Sequence, residues 1–181
     1  SFIFREHQKN IEMTERIPLN STARLHLQDA FGQRQTIRAL MSTTSISSLI
    51  TSECANALGL MKYRFIPKRI ALNDQFVWTF DKVFVRFEAF NLPIECLVVP
   101  DLNIRTPAVE CDFRNLTSVT PPIRLADVEF NIPSEIDMVL SSDVTMRCIN
   151  GSSQEFDNGL ILVDSVFGKV VSGSVPRCYE H

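Results

Sequence analysis

Residues 22–27 alternate strictly: Ala23, Leu25 and Leu27 are apolar, and Thr22, Arg24 and His26 are polar. A period of two predicts a half-buried strand. Asp29, Ala30, Phe31 and Gly32 then form a turn signal, because Asp bonds local backbone and Gly accepts positive φ. Residues 35–41 predict the return strand, with Ile37, Ala39 and Met41 on one face. A polar loop follows, Ser42, Thr43, Thr44 and Ser45. After it the pattern predicts a short helix over residues 52–58, with Thr51 as its cap, Glu53 in its positive first turn and Gly59 at its end. Leu49, Ile50, Cys54 and Leu58 supply its buried side.

Residues 76–90 are rich in aromatic and β-branched side chains and predict a long strand, paired with residues 66–72 across Asn73 and Asp74. Trp78 and the phenylalanines read as core packing. Residues 94–99 predict another strand, ended by Pro100. Residues 101–124 carry prolines and little periodicity, so they read as a long surface excursion. A short apolar strand over 136–140 precedes Ser141, Ser142 and Asp143, and residues 160–163 and 166–171 read as closing strands around Asp164. The organisation expected is a leader over residues 1–19, one all-β domain over 20–174 with helices only as punctuation, and a tail over 175–181.

Composition narrows the function classes. The chain has 181 residues, 45% hydrophobic and 22% charged, enough for a core without staples. Its net charge is −3 and its longest basic stretch is Lys68-Arg69, so nucleic acid is not expected as a partner. The five cysteines (Cys54, Cys96, Cys111, Cys148 and Cys178) are odd in number and form no C-x-x-C pair. This predicts reduced thiols and no zinc site, hence a cytoplasmic or nuclear protein that is not secreted, with no metal or other cofactor. No secretory signal is visible at Ser1, so the glycosylation-like triplets at Asn20, Asn115 and Asn150 read as chance. No apolar run approaches the ~20 residues of a membrane span. His26 reads as a surface residue, and His7 and His181 lie in the expected leader and tail.

Four stretches, in order, carry a resemblance. They are Arg38-Ala-Leu-Met-Ser-Thr-Thr-Ser-Ile-Ser-Ser-Leu-Ile-Thr51 with Ala57-Leu-Gly-Leu60, Leu125-Ala-Asp127 with Phe130, Ile136-Asp-Met-Val-Leu-Ser-Ser-Asp143, and Phe167-Gly-Lys-Val-Val-Ser-Gly173. Together they resemble the aspartic peptidase domain of Pao/BEL-type retrotransposon polyproteins. The resemblance implies an all-β, retropepsin-like closed barrel with one or two short helices, working as a homodimer. Each subunit of such a dimer brings one catalytic aspartate to the axis, and a flap from each covers the substrate. The flap corresponds here to Asn73, Asp74, Gln75, Phe76 and Trp78. Asp127, Asp137, Ser141 and Asp143 fall at positions that look structural.

Aspartic proteolysis needs two carboxylates in contact, one keeping a proton while the other activates water. The resemblance aligns Ser42 with the catalytic aspartate and Thr44 with the glycine after it; Thr43 and Ser45 keep compatible types. A serine hydroxyl is neither a general base by itself nor able to share the dyad proton. No aspartate lies between Asp29 and Asp74, so a shifted alignment restores nothing. Ser141 stands where the family has glycine beneath the site. The function expected is therefore a non-catalytic module that homodimerises or holds a peptide or protein ligand, derived from or part of a retroelement polyprotein. The alternatives are an aspartic-type endopeptidase with residual activity and an unrelated β-barrel interaction domain. A serine hydrolase using Ser42 would need His26 within reach, and Cys54 falls on a buried helix face.

Overall fold

The computed structural model describes residues 16–111 and 123–177; the chain before residue 16, Asn115, Cys178 and His181 lie outside them. Strand β1 (Arg16–Pro18) leads into the first hairpin, β2 (Thr22–Gln28) and β3 (Arg34–Met41). Ala23, Leu25 and Leu27 are buried as the alternation requires, and Leu25 pairs with Ile37 across the ladder. The turn closes on Asp29, whose Oδ1 accepts from the amides of Phe31 (2.9 Å) and Gln33 (2.8 Å). Strand β4 (Ser48–Thr51) runs into helix α1 (Ser52–Ala57). Thr51 Oγ1 caps it by accepting from Cys54 N at 3.1 Å, and Gly59 ends it at φ +66°.

Next come β5 (Tyr63–Leu72), β6 (Gln75–Phe87) and β7 (Phe90–Val99). The long strand expected over 76–90 therefore turns back at Glu88 and Ala89, and β7 starts four residues before the predicted 94. No Gly or Pro marks this turn, and apolar residues continue on both sides of it. The chain then passes through β8 (Arg105–Thr106), β9 (Ser134–Glu135), β10 (Met138–Leu140) and helix α2 (Ser142–Cys148). It ends in β11 (Ile149–Glu155), β12 (Leu160–Ser165) and β13 (Gly168–Pro176). Strand β1, inside the expected leader, pairs with Ser174–Pro176 of β13.

The fold is mostly β with two short helices among the described residues. Seven strands order as β2-β3-β10-β4-β7-β6-β5, four as β1-β13-β12-β11, and β8 pairs with β9. The expected closed barrel is not formed, because none of these sheets closes on itself. The seven-stranded sheet curls instead. Strand β5 leaves β6 at the Tyr63–Lys82 pair, so the edge of β6 beyond Lys82 is open to β2. Just past the end of β6, Glu88 N donates to His26 O of β2 at 2.9 Å, and Glu88 forms a two-pronged ion pair with Arg34 of β3 at 2.8 and 3.0 Å. The β2 edge is engaged elsewhere, since Arg24 N donates to Ala126 O.

Three apolar clusters hold the layers. One fills the inside of the curl with Leu25, Ile37, Ile50, Val83, Val85, Met138 and Leu140. A second lies on the four-stranded sheet around Leu160, Leu162 and Val171. A third covers the other side of the large sheet, where Leu49, Leu97, Val99 and Val139 meet Phe65, Ile70 and Leu72 of β5. Apolar residues on both faces of β4 and β10 match strands covered on both sides. No described helix is long and apolar enough to cross a membrane.

Candidate functional site

Strands β3 and β4 are consecutive, yet they do not pair. Strand β10 lies between them, parallel to β3 and antiparallel to β4. The chain from Ser42 to Ser47 must therefore arch over the end of β10. Two backbone bonds fasten the arch there, Ser42 N to Leu140 O at 3.1 Å and Ser142 N to Ser45 O at 2.8 Å. The motifs around residues 38–51 and 136–143, far apart in sequence, thus form one unit.

Within the arch the Ser42 hydroxyl is the organiser. Its Oγ accepts from Thr44 N (3.1 Å) and Ser45 N (2.9 Å), and Ser45 Oγ donates to Ser47 O (2.7 Å). Thr43 and Thr44 are exposed. The carboxylate on the adjoining segment is Asp143. It accepts from Ser141 Oγ, and that bond is the main reason its pKa lies below the usual carboxylate value. Ser141 N in turn donates to Ser48 Oγ at 3.0 Å. A carboxyl held in its ionised form is the opposite of a general acid at neutral pH.

The other two aspartates brace the scaffold. Asp137 Oδ2 accepts from Arg38 N at 3.0 Å, and its backbone bonds Arg38 O and Thr51 N. Asp127 is fully buried and accepts from Thr22 Oγ1 (2.8 Å), Arg38 Nε (2.8 Å), Arg24 Nε (3.0 Å) and Glu129 N (3.0 Å). Burial alone would raise its pKa; the hydrogen bonds from Arg38, Thr22 and Arg24 outweigh burial and hold it below the ordinary value. Arg38 Nη1 donates onward to Thr106 O and Ser134 O, tying β3 to β8 and β9.

The β5–β6 hairpin stands opposite the arch. Asn73 and Asp74 both take positive φ, +49° and +61°, the geometry of a tight hairpin turn with right-handed twist. Between arch and hairpin lies a cleft of about 520 Å³. Leu40, Leu49 and Val139 line it from β3, β4 and β10, Ile104 from the segment before β8, and Ile70 and Leu72 from β5, with Ser42, Thr44, Ser45 and Ile46 of the arch and Asn73 of the hairpin turn completing the lining. Asp74, Gln75, Phe76 and Trp78 do not line it. Phe76, Trp78 and Phe80 instead alternate outward on β6, 66%, 54% and 45% exposed, which corrects their assignment to the core. Arg69 lies 4.3 Å from the Phe76 ring centroid on that outer side.

Nucleophilic alternatives do not assemble. His26 Nδ1 bonds Thr36 Oγ1 at 2.8 Å. Thr36 is six strand residues before Ser42, roughly 20 Å along the chain, which is out of reach for proton transfer. Burial pushes the Cys54 thiol up to about 12 and the Cys148 thiol up to about 11, so neither forms a thiolate near neutrality. Among the described residues no three His, Cys, Asp or Glu side chains gather as a metal-binding group.

Sequence reasoning assigned none of Leu40, Leu49, Ile104 and Val139 to a cleft, and read Leu49 as part of the buried side of the helix. A signal was there: Leu40 is apolar on the face of β3 that the alternation leaves polar. No protein-family model, curated protein or solved structure matches the chain.

Proposed function

We propose that the chain is a non-catalytic, retropepsin-like module of the retroelement-polyprotein type, acting by homodimerisation and by holding a peptide or protein segment in the cleft beneath its β5–β6 hairpin. The observation that carries this reading is the strand insertion. The two motifs that resemble the catalytic loop and the inner strand of that family lie in contact, with β10 wedged between β3 and β4 under the Ser42 arch. The amides of Thr44 and Ser45 converge on the side chain of residue 42, as they would on a carboxylate there. A hydroxyl in that position cannot divide the roles of acid and base with a second copy of itself. Peptide capture needs no carboxylate, since it uses backbone pairing and side-chain pockets.

Ile46, at the tip of the arch, is 91% exposed and shares a surface hollow with Leu92, itself 50% exposed. An exposed apolar tip beside the site is what a two-fold contact at this loop would bury.

The test uses the folded chain against a diverse peptide pool from about pH 4 to 7, with and without a transition-state-mimic inhibitor of aspartic proteases. The expected result is binding without cleavage. Inhibitor-sensitive cleavage by the wild-type chain would overturn the reading. The double variant Ser42→Asp/Thr44→Gly restores the carboxylate and the small residue, and is expected to gain inhibitor-sensitive cleavage near the acid end of that range.

A further inference from the structure

The cleft is one-sided in charge. Among the described residues its charged lining residues are Lys68 and Arg69, and no carboxylate lines it. Shortage of acids is not the reason, because the chain carries 21 acidic residues against 18 basic. Strand alternation separates the two cations. Lys68 shares a face of β5 with Ile70 and Leu72, which pack towards the cleft. Arg69 turns to the other face, over Phe76. Lys68 is exposed and makes no ion pair among the described residues. The arch contributes four hydroxyls to the same lining, Ser42, Thr44, Ser45 and Ser47, together with the apolar Ile46.

Strand β5 is also the last strand of the seven-stranded sheet, so one side of its backbone is unpaired in that sheet. An extended chain can add there through backbone bonds, and the apolar lining can take its alternate side chains. A carboxylate at position 42, in the same lining, would repel an acidic ligand. A hydroxyl removes that repulsion and can donate a hydrogen bond to it.

We infer that the cleft selects an extended peptide with apolar side chains and one Asp or Glu side chain placed to meet Lys68. This rests on the peptide-holding role proposed above and adds the chemistry of the ligand. Selectivity arises from a single partly solvated charge pair, so the preference is modest and falls as salt is raised.

The probes are short apolar peptides, blocked at both ends, with one Glu scanned through the sequence and a matched Gln scan, read by fluorescence anisotropy. The best Glu peptide is expected to bind about five-fold more tightly than its Gln partner. Lys68→Glu should abolish or reverse that ranking without loss of fold, because the side chain is exposed. Equal binding of the Glu and Gln series, with binding lost in Leu72→Asp, would overturn the acidic preference and leave the peptide-holding role standing. Binding by no peptide would overturn both. A Gln peptide with its C-terminus left unblocked is the control, and tight binding by it alone would also overturn the side-chain form of the inference.

Discussion

At Asp127 four donors converge on one buried carboxylate, and two of them are guanidinium groups from β2 and β3. Removing one partner of such a buried pair leaves a desolvated charge, so Asp127→Asn should cost ~3–5 kcal/mol in denaturant unfolding at neutral pH. The pH dependence has a definite sign. The folded pKa lies below the unfolded value, which is near 3.9 for a free aspartate. The carboxylate's contribution is therefore fully present above about pH 4 and is lost as pH falls through the folded value. Wild-type stability should drop on acidification below about pH 4, and the variant should show a shallower drop. Equal slopes in the two proteins would place the acid sensitivity in other carboxylates. The Ser42 hydroxyl works differently. It fixes the arch by accepting two amide hydrogens, a local task that any short acceptor could perform.

Among the elements, the β5–β6 hairpin sets the roof of the cleft, and its turn demands left-handed backbone at Asn73 and Asp74. Asn and Asp tolerate that conformation, whereas a β-branched residue does not. Asp74→Val should destabilise the hairpin by about 1–2 kcal/mol. Hydrogen exchange should then quicken across β5 and the distal half of β6 while β2 and β3 keep their protection; uniform loss would show that the hairpin does not open as a separate unit. This turn was legible in the sequence, as were β2, β3 and the capped helix α1, because each carries its own period or end signal. Strand β11 was not, since Ile149 is its only apolar residue and its other positions are exposed. Trp78 was misplaced because β6 is apolar on both faces, and alternation does not say which face meets solvent. Helix α2 is seven residues long and starts at Ser142 with no side-chain cap bond from Ser141, so little announced it. The arch and the inner strand were legible as motifs, but their contact and the cleft beside them were not. Leu40, Leu49, Ile104 and Val139 come from four separate segments and meet only when β10 enters the sheet.

For the whole molecule, the open, curled sheet leaves the Ser42–Ser47 arch at the surface, with Ile46 projecting 91% exposed from it. A two-fold contact at this tip would bury the same residue from both chains, since a symmetric interface uses one patch twice. Burying an isoleucine stabilises by about 1.5–3 kcal/mol, so two copies give ~3–6 kcal/mol. Ile46→Asp should remove that gain and add the cost of two facing carboxylates, weakening self-association by at least about a hundred-fold. Sedimentation velocity across a concentration series would read the shift from dimer to monomer, and circular dichroism would check that the fold is unchanged. A wild-type chain that stays monomeric at every concentration would remove homodimerisation from the proposal. A variant that dimerises as well as the wild type would move the contact away from the arch. In that case the outward row of Phe76, Trp78 and Phe80 is the next surface to substitute, because there β6 presents large rings to solvent. The arch remains the stronger candidate, since a contact there would also bring two copies of Ser42 together, the arrangement that two carboxylates would need for catalysis and that two hydroxyls cannot use.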